Sequence, residues 1–322
     1  AIEIDASNLI VSPGFIDIHT HTDTELLVDP RGMSKIMQGV TTEVSGNCGH
    51  SPFPLTPQES KELSDNLNKR YDLNINWHDI NGFLGALEEN KISINYATFT
   101  GHGSLRGYCV GKNDVAPSSA QMKEMKKIID KTMKEGSFGL STGLEYAPGS
   151  YAKTEELIEL SKVVAQNNGI YNTHMRNEDD TVLEAVEEAI RICREANVSL
   201  EIAHLKACNQ SNWHKVDKML EMLDDANKNG LPVKADRYPY VAYGTGLSIF
   251  LPLWSRQGNT EEIISRLEDN KQLSKILDYV QSRGDRIGGW DRVMISSCHN
   301  EKNKHYEGMH IKECAVESGI AE

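Results

Sequence analysis

The stretch Pro13-Gly14-Phe15-Ile16-Asp17-Ile18-His19-Thr20-His21-Thr22-Asp23 carries the first decision about the fold. Pro13 and Gly14 open a short apolar run that reads as a strand over 14–19, and reactive side chains gather where it ends. Side chains alternate along extended backbone, so His19 and His21 project to the same side and can share one metal ion. The plainer alternative is two surface histidines in a loop.

Outward from this strand, similar β-type runs occur at 39–45, 92–99, 137–142, 169–173, 198–203 and 231–236. Amphipathic patterns at 119–135, 154–167, 181–197 and 215–229 lie between them, with apolar residues three and four apart. Asn167, Asn168 and Gly169 close one of these helices before the next strand. Strands alternating with helices predict repeated βα units around a parallel sheet. Pro52, Pro54 and Pro57 open a less regular region, 49–91, expected to be an insertion folding over one face; 244–292 is expected to be a second insertion.

Composition sets outer limits on function. At 322 residues the chain suits one large α/β unit with additions. The formal charge of -13, from 34 basic and 47 acidic residues, argues against a nucleic-acid partner, because phosphate binding needs a basic surface. Six cysteines scattered singly predict a reducing compartment, hence the cytoplasm. No apolar run reaches the roughly 20 residues that span a bilayer, so no membrane partner is expected. The first residues lack the pattern of a signal peptide and do not begin with Met, which leads us to expect an excised part of a longer protein.

Reactive residues recur where strands end. The run 39–45 leads into Gly46-Asn47-Cys48-Gly49-His50, where small neighbours would let a Cys48 thiolate approach an ion; alone, Cys48 would read as a small buried hydrophobe. His174 follows the run 169–173, and His204 follows 198–203. Thirty residues between them amount to one βα unit, which puts the two on neighbouring strand ends. Either could be a satisfied core histidine, but four histidines at successive strand ends favour a metal centre. Tyr146, Lys206, Asp236, Arg237 and Tyr238 fall on the same rim, where they either orient substrate or are loop residues. Lys206 is placed to meet a carboxylate, or is a solvated charge. His102, after the third run, either contacts the reacting carbonyl or packs.

The runs PGFIDIHTHTD (13–23), GVTTEVSGNCGHSPFP (39–54), GLSTGLEYAPGSYAKTEEL (139–157), THMRNE (173–178), IAHLKA (202–207), NWHKVDKMLE (212–221) and DRYPY (236–240) together resemble the N-acyl-D-amino-acid deacylases of the amidohydrolase superfamily. The resemblance implies a (β/α)8 TIM-type barrel over 13–322, cut short before strand eight, with 1–12 as a remnant of a small β-sandwich. It further implies zinc held tightly by Cys48, His174 and His204, with His19 and His21 forming a second, weaker position. Tyr146, Lys206 and Tyr238 would hold the carbonyl and carboxylate of a small N-acyl amino acid.

Relatives often bridge two metals through a carbamylated lysine on strand four; 141–146 offers none, consistent with a cysteine ligand. Gly244 stands where relatives often carry serine. The general-base aspartate of the resemblance would lie beyond Glu322. Hydrolysis of N-acyl-D-amino acids is therefore the expected activity, with a cyclic-amide hydrolase of the dihydroorotase or hydantoinase kind, or an inactive metal-binding fragment, as the alternatives. The oligomeric state is not legible.

Overall fold

The structure, a computed structural model, describes residues 3–320. Eight short strands run β1 (Phe15–Asp17), β2 (Val40–Ser45), β3 (Asn95–Thr98), β4 (Thr100–Gly101), β5 (Gly139–Gly143), β6 (Ile170–His174), β7 (Ser199–Ile202) and β8 (Val233–Ala235). All pair in parallel and in chain order, β1-β2-β3 in one sheet and β4-β5-β6-β7-β8 in the other. Sequential parallel pairing with helices between neighbours is the curved βα wall of a barrel.

The third expected strand, 92–99, differs from its reading. It appears as β3 and β4 because the chain changes partner at Phe99, whose N–H still donates to Ser45 O at 3.0 Å while Thr100 already pairs with Leu140. The eight strands are thus seven staves. Among the described residues no strand pairs β8 with β1, although the loops beyond both meet through His19 and Asp236.

The helices between staves form where the apolar spacing demands. Val182–Ala196 buries Val182, Ala185, Val186, Ala189, Ile190, Cys193 and Ala196 on one face and ends with Asn197 in the left-handed region. Ser119–Lys134 opens with a reciprocal Ser118/Gln121 capping box. These two helices, Thr154–Gln166 and Val216–Lys228 pack on β5 to β8 around Leu140, Tyr171, Leu200 and Ile202, in one continuous core.

Residues 49–91 carry two helices, Pro57–Tyr71 and Ile80–Glu89, packed with Phe53, Trp77 and Ile94 into a second core beside the first three staves. The 244–292 segment carries helices Thr260–Glu268 and Asn270–Ile287. Arg256 ties it down, donating to Glu145 O at 2.9 Å and to Leu251 O from Nε at 2.8 Å. Of the sandwich remnant expected at 1–12, residues 1 and 2 lie outside the described residues, and 3–12 form no strand. No described helix is long and apolar enough to cross a membrane.

Candidate metal centre

Backbone conformation is unusual where the cysteine and one histidine meet. Cys48 has φ 52° and His204 φ 38°, a left-handed region that costs a side-chain-bearing residue about 1–3 kcal/mol. Gly46 and Gly49 flank Cys48 with φ 73° and 78°. A Cβ on Gly49 would lie 2.6 Å from Gly143 N, and one on Gly143 would lie 2.1 Å from Cys48 O. Only glycines allow the ends of β2 and β5 to touch backbone to backbone, and that contact sets the depth of the Cys48 sulfur. Ser141 fastens the turn, its hydroxyl accepting from Gly49 N–H at 3.1 Å and donating to Gly46 O.

Donor atoms from four staves converge there. Cys48 Sγ lies 3.4 Å from His19 Nε2 and 3.5 Å from His204 Nε2. One ligand atom from each of Cys48, His174 and His204 falls within 4.8 Å of the others, and so does one from each of His19, His21 and Cys48. Cys48 belongs to both groups. All three members of the first group are buried, whereas His21 is exposed.

Electrostatics follow from this crowding. Burial raises the Cys48 thiol, but His174, His19, His204 and His21 outweigh it and hold the group well below the usual thiol range. Burial likewise disfavours the charged imidazoles, yet Glu178, Cys48 and Glu145 bring His174 up to about 10, and Asp236 and Cys48 bring His19 up to about 9. A thiolate ringed by imidazoles attracts positive charge, and protons and a divalent cation would compete for it.

Two carboxylates stand behind the rings. Asp236, just past β8, meets His19 Nδ1 through Oδ2 at 3.2 Å and accepts from His204 N–H through Oδ1 at 2.5 Å. Glu178 Oε1 is 2.8 Å from His204 Nδ1, and its Oε2 is 2.5 Å from Lys206 Nζ. Burial pushes Glu178 up, but His174, His204 and Lys206 prevail and hold it at about 2.

A cavity of about 940 Å³ opens onto the cluster. Tyr146, Lys206 and Tyr238 line it. The Tyr146 ring centres 4.8 Å from that of His174, and its hydroxyl accepts from Thr245 Oγ1 at 3.4 Å. Tyr238 lies over Lys206, with Nζ 5.6 Å from the ring centre, and its ring is 6.4 Å from that of His204. His50 also lines the cavity, 6.4 Å from Tyr146 between ring centres.

His102 is not brought there, which corrects the reading that set it against the reacting carbonyl. It is fully buried, with Nε2 3.0 Å from Glu156 Oε1, and Arg106 Nε donates to the same oxygen at 3.2 Å. A backbone that turns straight from β4 into the helix His102–Cys109 carries this side chain behind the wall. Glu145, Glu178 and Arg283 were not assigned roles from sequence, yet all three line the cavity. Glu178 had one legible signal, its position four residues after His174; Arg283 lies too far along the chain to have any.

Which group these residues could hold follows from their chemistry. One thiolate with imidazoles is a borderline-soft donor set that suits zinc and not magnesium or calcium. Both ring nitrogens of His174 are buried without a hydrogen-bond partner, although Nε2 lies 3.5 Å from Glu145 Oε2. A buried imidazole with no protein partner for either nitrogen suits a metal ligand. The residues present fit zinc.

Comparison with known proteins gives an independent placement. Residues 3–239 match the Amidohydrolase family. The chain is 36% identical to a D-aminoacylase of Alcaligenes xylosoxydans xylosoxydans over 244 residues, covering 76% of this chain and 50% of that protein. It is 35% identical to an N-acyl-D-aspartate deacylase of the same organism over 251 residues, 76% of this chain and 49% of that one. In structure it resembles an N-acyl-D-glutamate deacylase from Bordetella bronchiseptica, solved with zinc and a phosphonate mimic of the tetrahedral intermediate. That match has a TM-score of 0.76 and 27% identity over 96% of this chain and 56% of that chain. The chain spans about half the length of the curated relatives it matches.

Proposed function

Given that the chain belongs to the amidohydrolase family, we propose that the protein it comes from is a zinc-dependent hydrolase of N-acyl-D-amino acids, releasing a carboxylate and a free D-amino acid. The observation that carries this reading is the convergence of Cys48, His174 and His204, from three separate staves, on one buried point beside a cavity large enough for a small amide. The deacylase relatives named above support the substrate class.

Cys48, His174 and His204 would hold the tighter zinc, and His19 and His21 a weaker second position sharing Cys48. Bound there, zinc supplies Lewis-acid polarisation of the amide carbonyl and activation of water near neutral pH. Lys206 presents its ammonium to the substrate carboxylate, steadied by Glu178. Tyr146 keeps its phenol protonated, since burial raises it above its ordinary value, and so can donate to the acyl oxygen. Tyr238 closes the carboxylate end by stacking over Lys206. We place the protein in the cytoplasm, on the cysteine pattern.

The test is a turnover panel on the full-length protein with zinc restored: N-acetyl-D-amino acids, their L enantiomers, and cyclic ureides. Release of free D-amino acid, lost on Lys206→Met chiefly through a higher KM, is expected. Turnover of cyclic ureides alone would overturn the assignment.

A further inference from the structure

Glu178 takes no part in the hydrolysis just described beyond steadying Lys206, yet it is buried against two site residues at once, His204 and Lys206. Its side chain is 6% exposed, and its own backbone carbonyl accepts from Cys208 N–H at 2.6 Å, so neither end is free to move. Two groups compete for His204 Nδ1: Glu178 Oε1 at 2.8 Å and Lys206 Nζ at 2.9 Å. A ring nitrogen cannot donate to one and accept from the other.

The surrounding contacts decide between them. Lys206 Nζ has two further acceptors, Glu178 Oε2 at 2.5 Å and His204 O at 3.1 Å. Glu178 Oε1 is buried and has no donor in hydrogen-bonding geometry, His204 approaching it only at an angle. The Nδ1 proton therefore belongs to the side facing Glu178. The approach is short but bent, so Coulomb attraction contributes more than an in-line hydrogen bond. This tautomer leaves the Nε2 lone pair free on the side of Cys48 Sγ.

We propose that Glu178 is a positioning residue shared by two sites, orienting the His204 ring for the metal with one oxygen and holding Lys206 for the substrate carboxylate with the other. The inference rests on the zinc-hydrolase reading above. Metal binding and carboxylate binding are then coupled through one side chain, and a change in either is felt at the other across less than one residue's length. A carboxylate behind a metal-binding histidine fixes its tautomer and raises its basicity, and loss of such a partner weakens metal affinity by about 10–100-fold.

Cobalt(II) replaces zinc in the test, because thiolate and imidazole ligation to it is visible in absorption. Glu178→Gln keeps the shape of the side chain and removes its charge. The expected result is cobalt affinity lowered by about 10–100-fold and shifted d–d bands. Lys206→Met, which breaks the other arm and also removes the Lys206 contacts to His204 Nδ1 and O, should lower cobalt affinity less than Glu178→Gln does and leave the bands nearer those of the wild type. If Glu178→Gln does not fold, Glu178→Asp is measured in its place; its carboxylate is one methylene too short to reach Nδ1, and the same loss is expected. Unchanged affinity and spectrum in the Glu178 variant overturn the proposal, and so does an equal loss in Lys206→Met. A wild type without any thiolate-to-cobalt charge-transfer band overturns the zinc reading itself, and this inference with it.

Discussion

Replacing Cys48 separates two quantities that the fold holds together. Its sulfur is the donor common to both histidine groups, and its backbone sits at φ 52°. Zinc sites of four protein ligands bind with about 10–16 kcal/mol, so one lost donor is worth roughly 3 kcal/mol, or about two decades of affinity. Cys48→Ala and Cys48→Gly both remove the donor and should weaken zinc alike, measured by competition with a chromophoric chelator. They differ in backbone. An alanine left at φ 52° retains the left-handed penalty, about 1–2 kcal/mol, which glycine does not incur. In denaturant unfolding without metal, Cys48→Gly should therefore exceed Cys48→Ala in stability by about 1 kcal/mol. Zinc affinity in either variant equal to that of the wild type would refute the ligand assignment; Ala and Gly variants of equal stability would refute the strain.

Three further outcomes follow from other parts of the molecule. Glu156→Ala strands the fully buried Arg106 guanidinium and His102 without their shared carboxylate, and a loss of about 3–5 kcal/mol in urea unfolding is expected; a loss under 1 kcal/mol would mean that the network is not buried in solution. Burial, with Asp236 adding to it, raises Glu201 to about 7, well above its ordinary value of 4.5. A group whose pKa is higher folded than unfolded contributes nothing while both states are protonated, so its cost is absent at pH 4, grows between its ordinary value of 4.5 and about 7, and stays at its full size above that. Glu201→Gln should thus raise the unfolding midpoint more at pH 8 than at pH 5, and an equal shift at both would contradict the sign. Chelating zinc from protein equilibrated with free zinc at 100 times its Kd should remove about 2.7 kcal/mol of stability, read as a lower thermal midpoint, and no change would mean that no metal binds the folded state.

Much of the fold was legible because parallel βα units declare themselves through local periodicity. All seven extended runs became staves and the four amphipathic patterns became helices, for example 154–167, which appears as Thr154–Gln166. The third run was misjudged only in continuity, since a change of pairing partner at Phe99 leaves no mark on hydrophobic pattern. The candidate ligands were legible for the same reason, as His19, His21, Cys48, His174 and His204 each follow a strand. His102 follows one too, and was misplaced: whether a residue after a strand faces the cavity or the wall depends on where the next helix begins.

Sequence alone determined the order of staves and the reactive residue types at their ends, because alternation along a strand and 3.6-residue spacing along a helix act over a few neighbours. Only the tertiary structure decided which of those side chains meet. Cys48 and His204 are 156 positions apart, and their approach to 3.5 Å depends on the curvature of the wall, on glycine-to-glycine contact between β2 and β5, and on two left-handed residues held there by everything around them. Glu178 and Asp236 acquired their partners in the same way. Charges separated along the chain interact through space, and distance in space is set by packing and not by order.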